Sequence, residues 1–311
     1  MQFVIVGAGA LGSVIGAALF QCGEHVTLLG RESAHLQALQ RDGLHLTRLD
    51  GTVHRVDLAA TSDPRVVAEA DAVIVLVKTV DTVAAMRAIR PYLHAEVSVL
   101  TVQNGIGNVE TIAMELQDRA RVLPGVTSQA AMRTTPGAVT HAGEGPTFVG
   151  YRDAADAACS AAIVATFSDC GLPAAAVPDI ERYVWRKVAV NAAINGLTAL
   201  GGVPNGAIVA DSALLTAATT VVEEAATVAR ALGIAIDDVR ATLVETANAT
   251  AANRSSMLQD LEAGRPTEVG AIHEAIVAAG RRAGVATPVT QAVAALIRAR
   301  ERSGNPQGAT P

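Results

Sequence analysis

Short apolar segments alternate with longer amphipathic segments over residues 1 to about 150. Five of the apolar segments predict buried strands, at residues 3–6, 25–29, 72–77, 97–102 and 122–125. Apolar runs separated by helical stretches are typical of a parallel sheet that is covered by helices. The pattern therefore predicts an α/β fold class for the N-terminal half of the chain.

Two alternating segments within residues 45–56 meet at Asp50-Gly51, which is a strong hairpin turn signal. We expect this hairpin to be a local insertion. Turn residues at Thr135-Pro136-Gly137 and Glu144-Gly145-Pro146 bracket further short strands that end near residue 149. Residues 154–170 then predict a helix that leads towards Gly171-Leu172-Pro173.

Beyond about residue 180 the strand pattern disappears, and long alanine-rich segments are punctuated by glycines. We expect an all-helical second domain and divide the chain into residues 1–172 and 173–311. Residues 188–210 are uncharged and long enough to span a bilayer, but asparagines and a proline within them favour a buried helix and loop. Residues 303 onward are polar with glycine and proline, and we interpret them as a frayed tail.

The composition favours small-molecule chemistry in a cleft between two domains. A chain of 311 residues exceeds one ordinary core, and its net charge of -6 includes no basic cluster suited to nucleic acid or anionic membranes. Cys22, Cys159 and Cys170 lie far apart and form no C-x-x-C pair, so we expect reduced core thiols in a cytosolic protein. The N-terminus has no basic leader and is interpreted as the first strand.

Gly7-Ala8-Gly9-Ala10-Leu11-Gly12 is a G-x-G-x-x-G sequence that follows a predicted strand and opens a helix. In that context glycines permit a tight turn and close approach of a pyrophosphate, while the helix N-terminus offers free N–H groups. A glycine-rich turn without a ligand is the alternative. The context favours a Rossmann-type dinucleotide-binding domain.

The choice of nicotinamide cofactor depends on the end of the second predicted strand. An acid there binds the ribose of NAD, whereas an arginine accommodates the 2′-phosphate of NADP, and either Arg31 or Glu32 could hold that position. Lys78 adds a second cation at the same sheet edge, although a solvated strand end is its alternative interpretation. The two cations together favour NADP(H). Asn104 follows a further strand, where its amide suits a ribose or a carboxamide, but Asn-Gly is also an ordinary turn dipeptide.

Lys187, Asn191 and Asn195 are four residues apart and form one polar stripe on a predicted helix with small apolar residues on its other faces. Buried amides and an ammonium need partners, which a cleft with a polar ligand would supply. The alternative is a structural network in which an acid pairs with Lys187 and loop carbonyls bind the asparagines.

A second polar group lies downstream. By their spacing Asn253, Ser256 and Asp260 share one helix face, and Glu268 follows in the first turn of another helix. Glu268 would complement that helix dipole or present a carboxylate to the cleft.

The chain resembles the ketopantoate reductase family over nearly its whole length. The resemblance lies in Gly7-x-Gly9-x-x-Gly12, Arg31, Lys78, Asn104-Gly105, Lys187 with Asn191 and Asn195, Leu197-Thr198-Ala199-Leu200, Pro204-Asn205-Gly206, Ser255-Ser256-Met257-Leu258-Gln259-Asp260 and Thr267-Glu268. The motifs of the helical half are more specific than the glycine loop, which unrelated Rossmann enzymes share.

The resemblance implies NADPH-dependent reduction of 2-dehydropantoate to (R)-pantoate, in the pathway to pantothenate and coenzyme A. It implies that Arg31 and Lys78 hold the 2′-phosphate end of the cofactor and that Asn104 contacts the ribose on the nicotinamide side. Lys187 would be the general acid, and Glu268 would bind a substrate hydroxyl or orient Lys187. The substrate pocket would be lined by Asn191, Asn195, Asn205, Asn253 and Ser256.

Two other functions stay open at this point. Hydroxyacid dehydrogenases of the 6-phosphogluconate type also use a lysine followed four residues later by an asparagine, and a sensor could bind NADP(H) without turnover. A hydrolase and a zinc site are poorly supported, because the sequence has no G-x-S-x-G and no H-E-x-x-H. We expect a small-molecule 2-keto acid as the partner, no nucleic acid and no membrane, with a homodimer left open.

Overall fold

The computed structural model describes residues 1–304, and the chain divides into two compact units. The first unit comprises residues 1–103 and 108–180, and the second comprises Asn104–Gly107 together with the chain from Glu181 onward. The domain boundary expected after residue 172 lies before the last strand of the first unit.

A twisted sheet of eight strands forms the centre of the first unit. In chain order the strands of the described residues are β1 (Gln2–Val6), β2 (His25–Leu29), β3 (Leu44–Thr47), β4 (Val53–Val56), β5 (Ala59–Thr61), β6 (Ala72–Val75), β7 (Ser98–Thr101), β8 (Arg121–Thr127), β9 (Ala130–Thr135), β10 (Ala138–Gly143), β11 (Thr147–Gly150) and β12 (Ala174–Val177). The large sheet has the order β12-β11-β8-β7-β6-β1-β2-β5, and its pairs are parallel except for β11 with β8. Because β1 pairs with both β2 and β6, the loop after β1 lies where the strand order reverses, which is where open α/β sheets bind ligands.

The hairpin of β3 and β4 is not a local insertion, as expected from the sequence, but half of a second sheet. That sheet has the order β4-β3-β10-β9, and β3 pairs in parallel with β10 through Leu46 and Val139. Leu46 and Val139 are both buried in one core cluster. The hairpin therefore joins strands that follow it by about ninety residues, a pairing without a local sequence signal.

Helices cover both faces of the large sheet, as the apolar strands require. They are α1 (Ala10–Gln21), α2 (Ala34–Asp42), α3 (Thr82–Ile89), α4 (Asn108–Leu116) and α5 (Ala154–Asp169). Successive residues of β1 point to opposite faces, so Phe3 packs with α1 and α5 whereas Val4 packs in a separate cluster with α3 and α4. Strand residues are buried on both faces, which explains the continuous apolar sequence of the strands.

The second unit is helical. It contains α6 (Ile180–Gly201), α7 (Ala207–Ala210), α8 (Ser212–Ala231), α9 (Val239–Ala249), α10 (Ser256–Glu262), one π-helical turn (Gly270–Glu274), α11 (Ala275–Ala283) and α12 (Pro288–Gly304). The core is rich in alanine and valine, with residues such as Ala189, Ala193 and Ala225 fully buried. Small side chains allow helix backbones to approach closely, and larger residues such as Trp185 and Leu243 fill the space between them.

The C-terminal end of the described residues is helical. Ser303 and Gly304 are the last residues of α12 and not part of a frayed tail, while the rest of that expected tail, residues 305–311, lies outside the described residues. Among residues 1–304, no helix has the length and apolar character needed to cross a bilayer.

Candidate active site

The glycine-rich loop joins β1 to α1, and two of its glycines are required by close backbone contacts. Gly7 has φ +123°, and a Cβ there would lie 2.6 Å from the Leu76 carbonyl carbon. A Cβ at Gly12 would overlap the Gly7 carbonyl oxygen. These two positions tie the start of α1 to the ends of β1 and β6, as the dinucleotide-binding turn demands.

Gly9 differs from these two, because a Cβ there would meet no atom of the described residues within 4 Å. Gly9 is also the N-cap of α1 and supplies no side-chain cap, so the first N–H groups of the helix have no partner within it. Open space beside free N–H donors suits a pyrophosphate. The loop fits the group that its sequence predicts.

Arg31 follows β2, and its guanidinium forms a bidentate ion pair with Asp81. Nη1 and Nη2 donate to the two carboxylate oxygens at 2.9 and 3.1 Å, although the Arg31 side chain is 83% exposed. Asp81 belongs to a short turn, Thr79–Asp81, that begins directly after Lys78. The two predicted cations are thus connected through this turn, and Asp81 is a functional candidate that the sequence analysis missed.

Glu32, the alternative ribose-reading residue, accepts a hydrogen bond from the Ser62 hydroxyl. Its carboxylate is therefore engaged at the edge of β2, whereas Arg31 is exposed and held in place. Lys78 is half-buried at the carboxyl end of the segment that follows β6. The cofactor roles of Arg31 and Lys78 stay predictions.

Helix α6 carries Lys187, Asn191 and Asn195 at the expected spacing of one turn. Its remaining positions are small or apolar, and Ala189, Ala192 and Ala193 are fully buried. Asn195 is only 8% exposed, while Lys187 and Asn191 are half-buried. The polar stripe therefore lies inside the second unit and not on a solvated surface.

The surroundings of Lys187 change the pKa of its ammonium. Burial lowers the pKa of its ammonium from 10.5 to about 8, and the carboxylate of Glu268 acts in the opposite direction. Below that value the side chain is mostly charged, and above it the proton is lost. A cation of this kind can stabilise a forming alkoxide and give up a proton to it.

Glu268 is bound by Asn104, which lies 164 residues earlier in the chain. The Asn104 amide Nδ2 donates to Glu268 Oε2 at 3.0 Å. The segment 104–107 that carries this asparagine is fixed by a backbone bond from Ile106 N to Ala271 O at 2.9 Å. Asn104 and Glu268 therefore form one polar pair, which the Lys187 ammonium joins through its charge interaction with Glu268.

The π-helical turn after Glu268 is anchored on both sides. Thr267 donates from its N–H and its hydroxyl to Glu301 Oε1, both at 2.7 Å. His273 Nε2 donates to Ala192 O of α6 at 2.9 Å, and burial lowers the pKa of this imidazole to about 4. A neutral ring with Nε2 protonated thus fixes the turn on α6, within the stretch that carries Asn191 and Asn195.

Of the other predicted substrate-binding residues, Asn205 and Asn253 lie in loops and Ser256 begins α10. Asn205 donates from its amide to Thr250 Oγ1 at 3.0 Å, and its own N–H donates to Asn253 O at 2.9 Å. The expected shared helix face of Asn253, Ser256 and Asp260 was wrong, because α10 begins only at Ser256 and Asn253 precedes it. Asp260 forms an ion pair with Arg265 at 3.0 Å, a structural contact.

Ser256 is exposed at the first position of α10, and the preceding serine has the structural role. Ser255 caps the helix by accepting from Leu258 N, and it accepts a hydrogen bond from Thr198 of α6 at 2.8 Å. The hydroxyl that caps the helix is that of Ser255 and not that of Ser256. Whether Asn205, Asn253 and Ser256 bind substrate stays a prediction.

Comparisons with known sequences place both halves of the chain in one family. The family model described as Ketopantoate reductase PanE/ApbA matches residues 3–154, and the model of the C terminal part of the same family matches residues 179–301. The 2-dehydropantoate 2-reductase of Halobacterium salinarum is 41% identical over 309 residues, which cover 98% of this chain and all of that protein. The enzyme of the same name from Archaeoglobus fulgidus is 38% identical over 94% of this chain and 96% of its own length.

Solved structures with a similar fold include a ketopantoate reductase and a second dehydrogenase. A PanE/ApbA family ketopantoate reductase from Ralstonia eutropha has a TM-score of 0.89 and 31% identity over 98% of this chain and 99% of its own. D-mandelate dehydrogenase in a ternary structure with NADH and anilino(oxo)acetate has a TM-score of 0.92 and 28% identity, covering 98% of this chain and all of its own. The chain therefore belongs to the ketopantoate reductase PanE/ApbA family of oxidoreductases.

Proposed function

We propose that this chain reduces 2-dehydropantoate to (R)-pantoate with NADPH, in the pathway to pantothenate and coenzyme A. The observation that carries the proposal is the group formed by Lys187, Glu268 and Asn104, in which a partly buried ammonium adjoins a hydrogen-bonded carboxylate. The names of the relatives at 41% and 38% identity support the same substrate.

NADPH is the cofactor that the residues of the first unit fit best. The open position at Gly9 and the N-terminus of α1 would receive the pyrophosphate, with Gly7, Ala10, Leu11 and Gly12 shaping the loop. Arg31 and Lys78 would bind the 2′-phosphate, and Asn104 would contact the nicotinamide ribose. Bound NADPH supplies the hydride that reduces the ketone carbon.

Lys187 supplies the proton of the reaction. As the ketone carbon is reduced, negative charge develops on its oxygen, and the Lys187 ammonium stabilises that charge and transfers a proton to it. Glu268 favours the charged form of Lys187. Asn104 holds Glu268 through the 3.0 Å hydrogen bond, so that the carboxylate keeps one orientation during turnover.

The substrate would be bound by amide and hydroxyl groups of the second unit. Asn191 and Asn195 continue the polar stripe that Lys187 begins, one and two helical turns further along α6. Asn205, Asn253 and Ser256 complete the proposed set. Amides can donate to a carboxylate and accept from a hydroxyl, and 2-dehydropantoate carries both groups.

A second candidate is the reduction of another 2-keto acid with NADH. D-mandelate dehydrogenase, whose structure contains NADH, has the highest TM-score of the structures described above, although its identity is lower than that of the named reductases. Arg31 separates the two candidates, because an exposed cation at that position favours the additional phosphate of NADPH.

A two-cofactor, two-substrate kinetic comparison tests the proposal. The purified protein is assayed with NADPH and NADH against 2-dehydropantoate and against a 2-keto acid with an aromatic substituent, and kcat/KM is measured for all four combinations. We expect the largest value for NADPH with 2-dehydropantoate. A larger value for NADH with the aromatic substrate would establish the second candidate instead.

A further inference from the structure

Two of the three cysteines terminate neighbouring helices of the first unit. Cys22 is the C-cap of α1, and Cys170 is the C-cap of α5. Both helices pack on the same core cluster, to which α1 contributes Leu19 and α5 contributes Phe167. The three cysteines were expected to be core thiols that lie far apart, and this was wrong for Cys22 and Cys170, because Cys22 is exposed and packing brings the two helix ends together.

The two thiols are in close proximity. The Cys22 thiol donates to the carbonyl oxygen of Asp169, the residue before Cys170, with a sulfur–oxygen distance of 3.6 Å. Burial, and after it the neighbouring Cys22 thiol, raises the pKa of Cys170 to about 12. Cys22 is exposed while Cys170 is half-buried, so the pair consists of one accessible thiol and one shielded thiol that forms its thiolate only rarely.

A small oxidant can reach this pair. Cys22 and Cys170 both line a surface pocket of about 600 Å³, whose wall also includes Gln21, Arg48 and Leu172. Cys159, the remaining cysteine, does not line the pocket. Cys159 lies in α5, the helix that ends at Cys170, and therefore provides an internal control for oxidation of the pair.

We propose that Cys22 and Cys170 form a redox-active thiol pair, which a low-molecular-weight disulfide such as oxidised glutathione converts to an intradomain disulfide. In the first step the Cys22 thiolate attacks one sulfur of the oxidant, forms a mixed disulfide and releases one glutathione thiolate. In the second step the Cys170 thiolate attacks Cys22 Sγ, forms the protein disulfide and releases the second glutathione. The two protein protons pass to the two released thiolates, and the protein loses the two electrons that the oxidant gains.

The shielding of Cys170 determines the order and the rates of these steps. Because the thiolate is the attacking species, the exposed Cys22 reacts first and closure by Cys170 is slow. The mixed disulfide on Cys22 should therefore appear before the protein disulfide. The product joins the ends of α1 and α5, and a reductant such as dithiothreitol reverses it.

The experiment is oxidation of the purified full chain with oxidised glutathione, followed by mass spectrometry and by titration of thiols in denaturant. We expect the wild type to pass through a mixed disulfide and to retain one of its three thiols, with Cys22 and Cys170 peptides crosslinked. Cys159→Ser should form the same crosslink, and Cys170→Ser should stop at the mixed disulfide. Crosslinking should raise Tm by about 5–10 °C in wild type and in Cys159→Ser.

Three results would overturn the proposal. One is a wild type that keeps glutathione on Cys22 as its final product, and another is a disulfide between the Cys22 residues of two chains. The third is a crosslink that includes Cys159. None of these measurements uses reductase activity, so they are independent of the proposed function.

Discussion

The charged groups of the two units lie in different surroundings. In the first unit the Arg31 side chain is 83% exposed and forms an ion pair with Asp81, so water and salt screen its charge. In the second unit Lys187 lies among apolar helix residues, and its pKa falls to about 8. Under the proposed function, we therefore expect the exposed Arg31 cation to contribute modestly to cofactor affinity and the Lys187 cation to control a chemical step.

The largest effect is expected from Lys187→Ala. If the partly buried ammonium stabilises the transition state, its loss should lower kcat by on the order of 10²–10⁴-fold while NADPH still binds. Arg182→Ala is the matched control, because Arg182 lies on the same helix but is exposed. The measurement is steady-state kinetics with saturating NADPH. Near-wild-type kcat in a folded Lys187→Ala protein would show that the polar stripe is only a structural network.

A smaller effect is expected from the support beneath the pair of Asn104 and Glu268. Gly105 and Gly107 have similar positive φ angles, +98° and +92°, but a Cβ at Gly105 would lie 2.6 Å from Ala271 O while one at Gly107 meets nothing within 4 Å. Both alanine variants carry the same backbone strain, and only Gly105→Ala displaces the segment that holds Asn104. We expect Gly105→Ala to lower kcat about ten- to a hundred-fold more than Gly107→Ala, since small displacements of catalytic groups are costly.

Arg31→Ala tests the first unit. A hydrogen bond between charged groups contributes about 1.5–3 kcal/mol, and the exposure of Arg31 favours the lower end, which is about a tenfold loss of affinity for NADPH. Affinity for NADH should hardly change. Titration of both cofactors by fluorescence or calorimetry gives the ratio, and an equal loss for the two would remove Arg31 from phosphate recognition.

Asp81→Asn should have the smallest effect and the opposite sign. Asp81 orients Arg31 but also places a negative charge beside the proposed phosphate site. For a screened surface pair we expect repulsion to dominate slightly, so that NADPH binds about two- to fivefold more tightly in the variant. The gain should shrink at high ionic strength. A weaker affinity for NADPH at low salt would show that positioning of Arg31 matters more than repulsion.

Local patterns account for what the sequence analysis predicted correctly. Short stretches of sequence specify the glycine loop, β1, β2 and the spacing along α6. Periodicity and turn chemistry are therefore enough to predict them. The strands β5 and β12 were missed because three or four small residues give no period. The pairing of β3 with β10 and the bonds from Arg31 to Asp81 and from Asn104 to Glu268 join distant segments, which only tertiary packing brings together.

The central claim, that Lys187 is the general acid, is tested most directly by the pH dependence of hydride transfer in a single turnover. Reduction requires the ammonium, so the rate should be constant below about pH 8 and should fall about tenfold per pH unit above it, as the proton is lost. In Glu268→Gln the fall should begin at lower pH, because Glu268 raises the pKa of Lys187. A wild-type rate that stays constant between pH 7 and pH 10, or an unchanged profile in Glu268→Gln, would contradict the account.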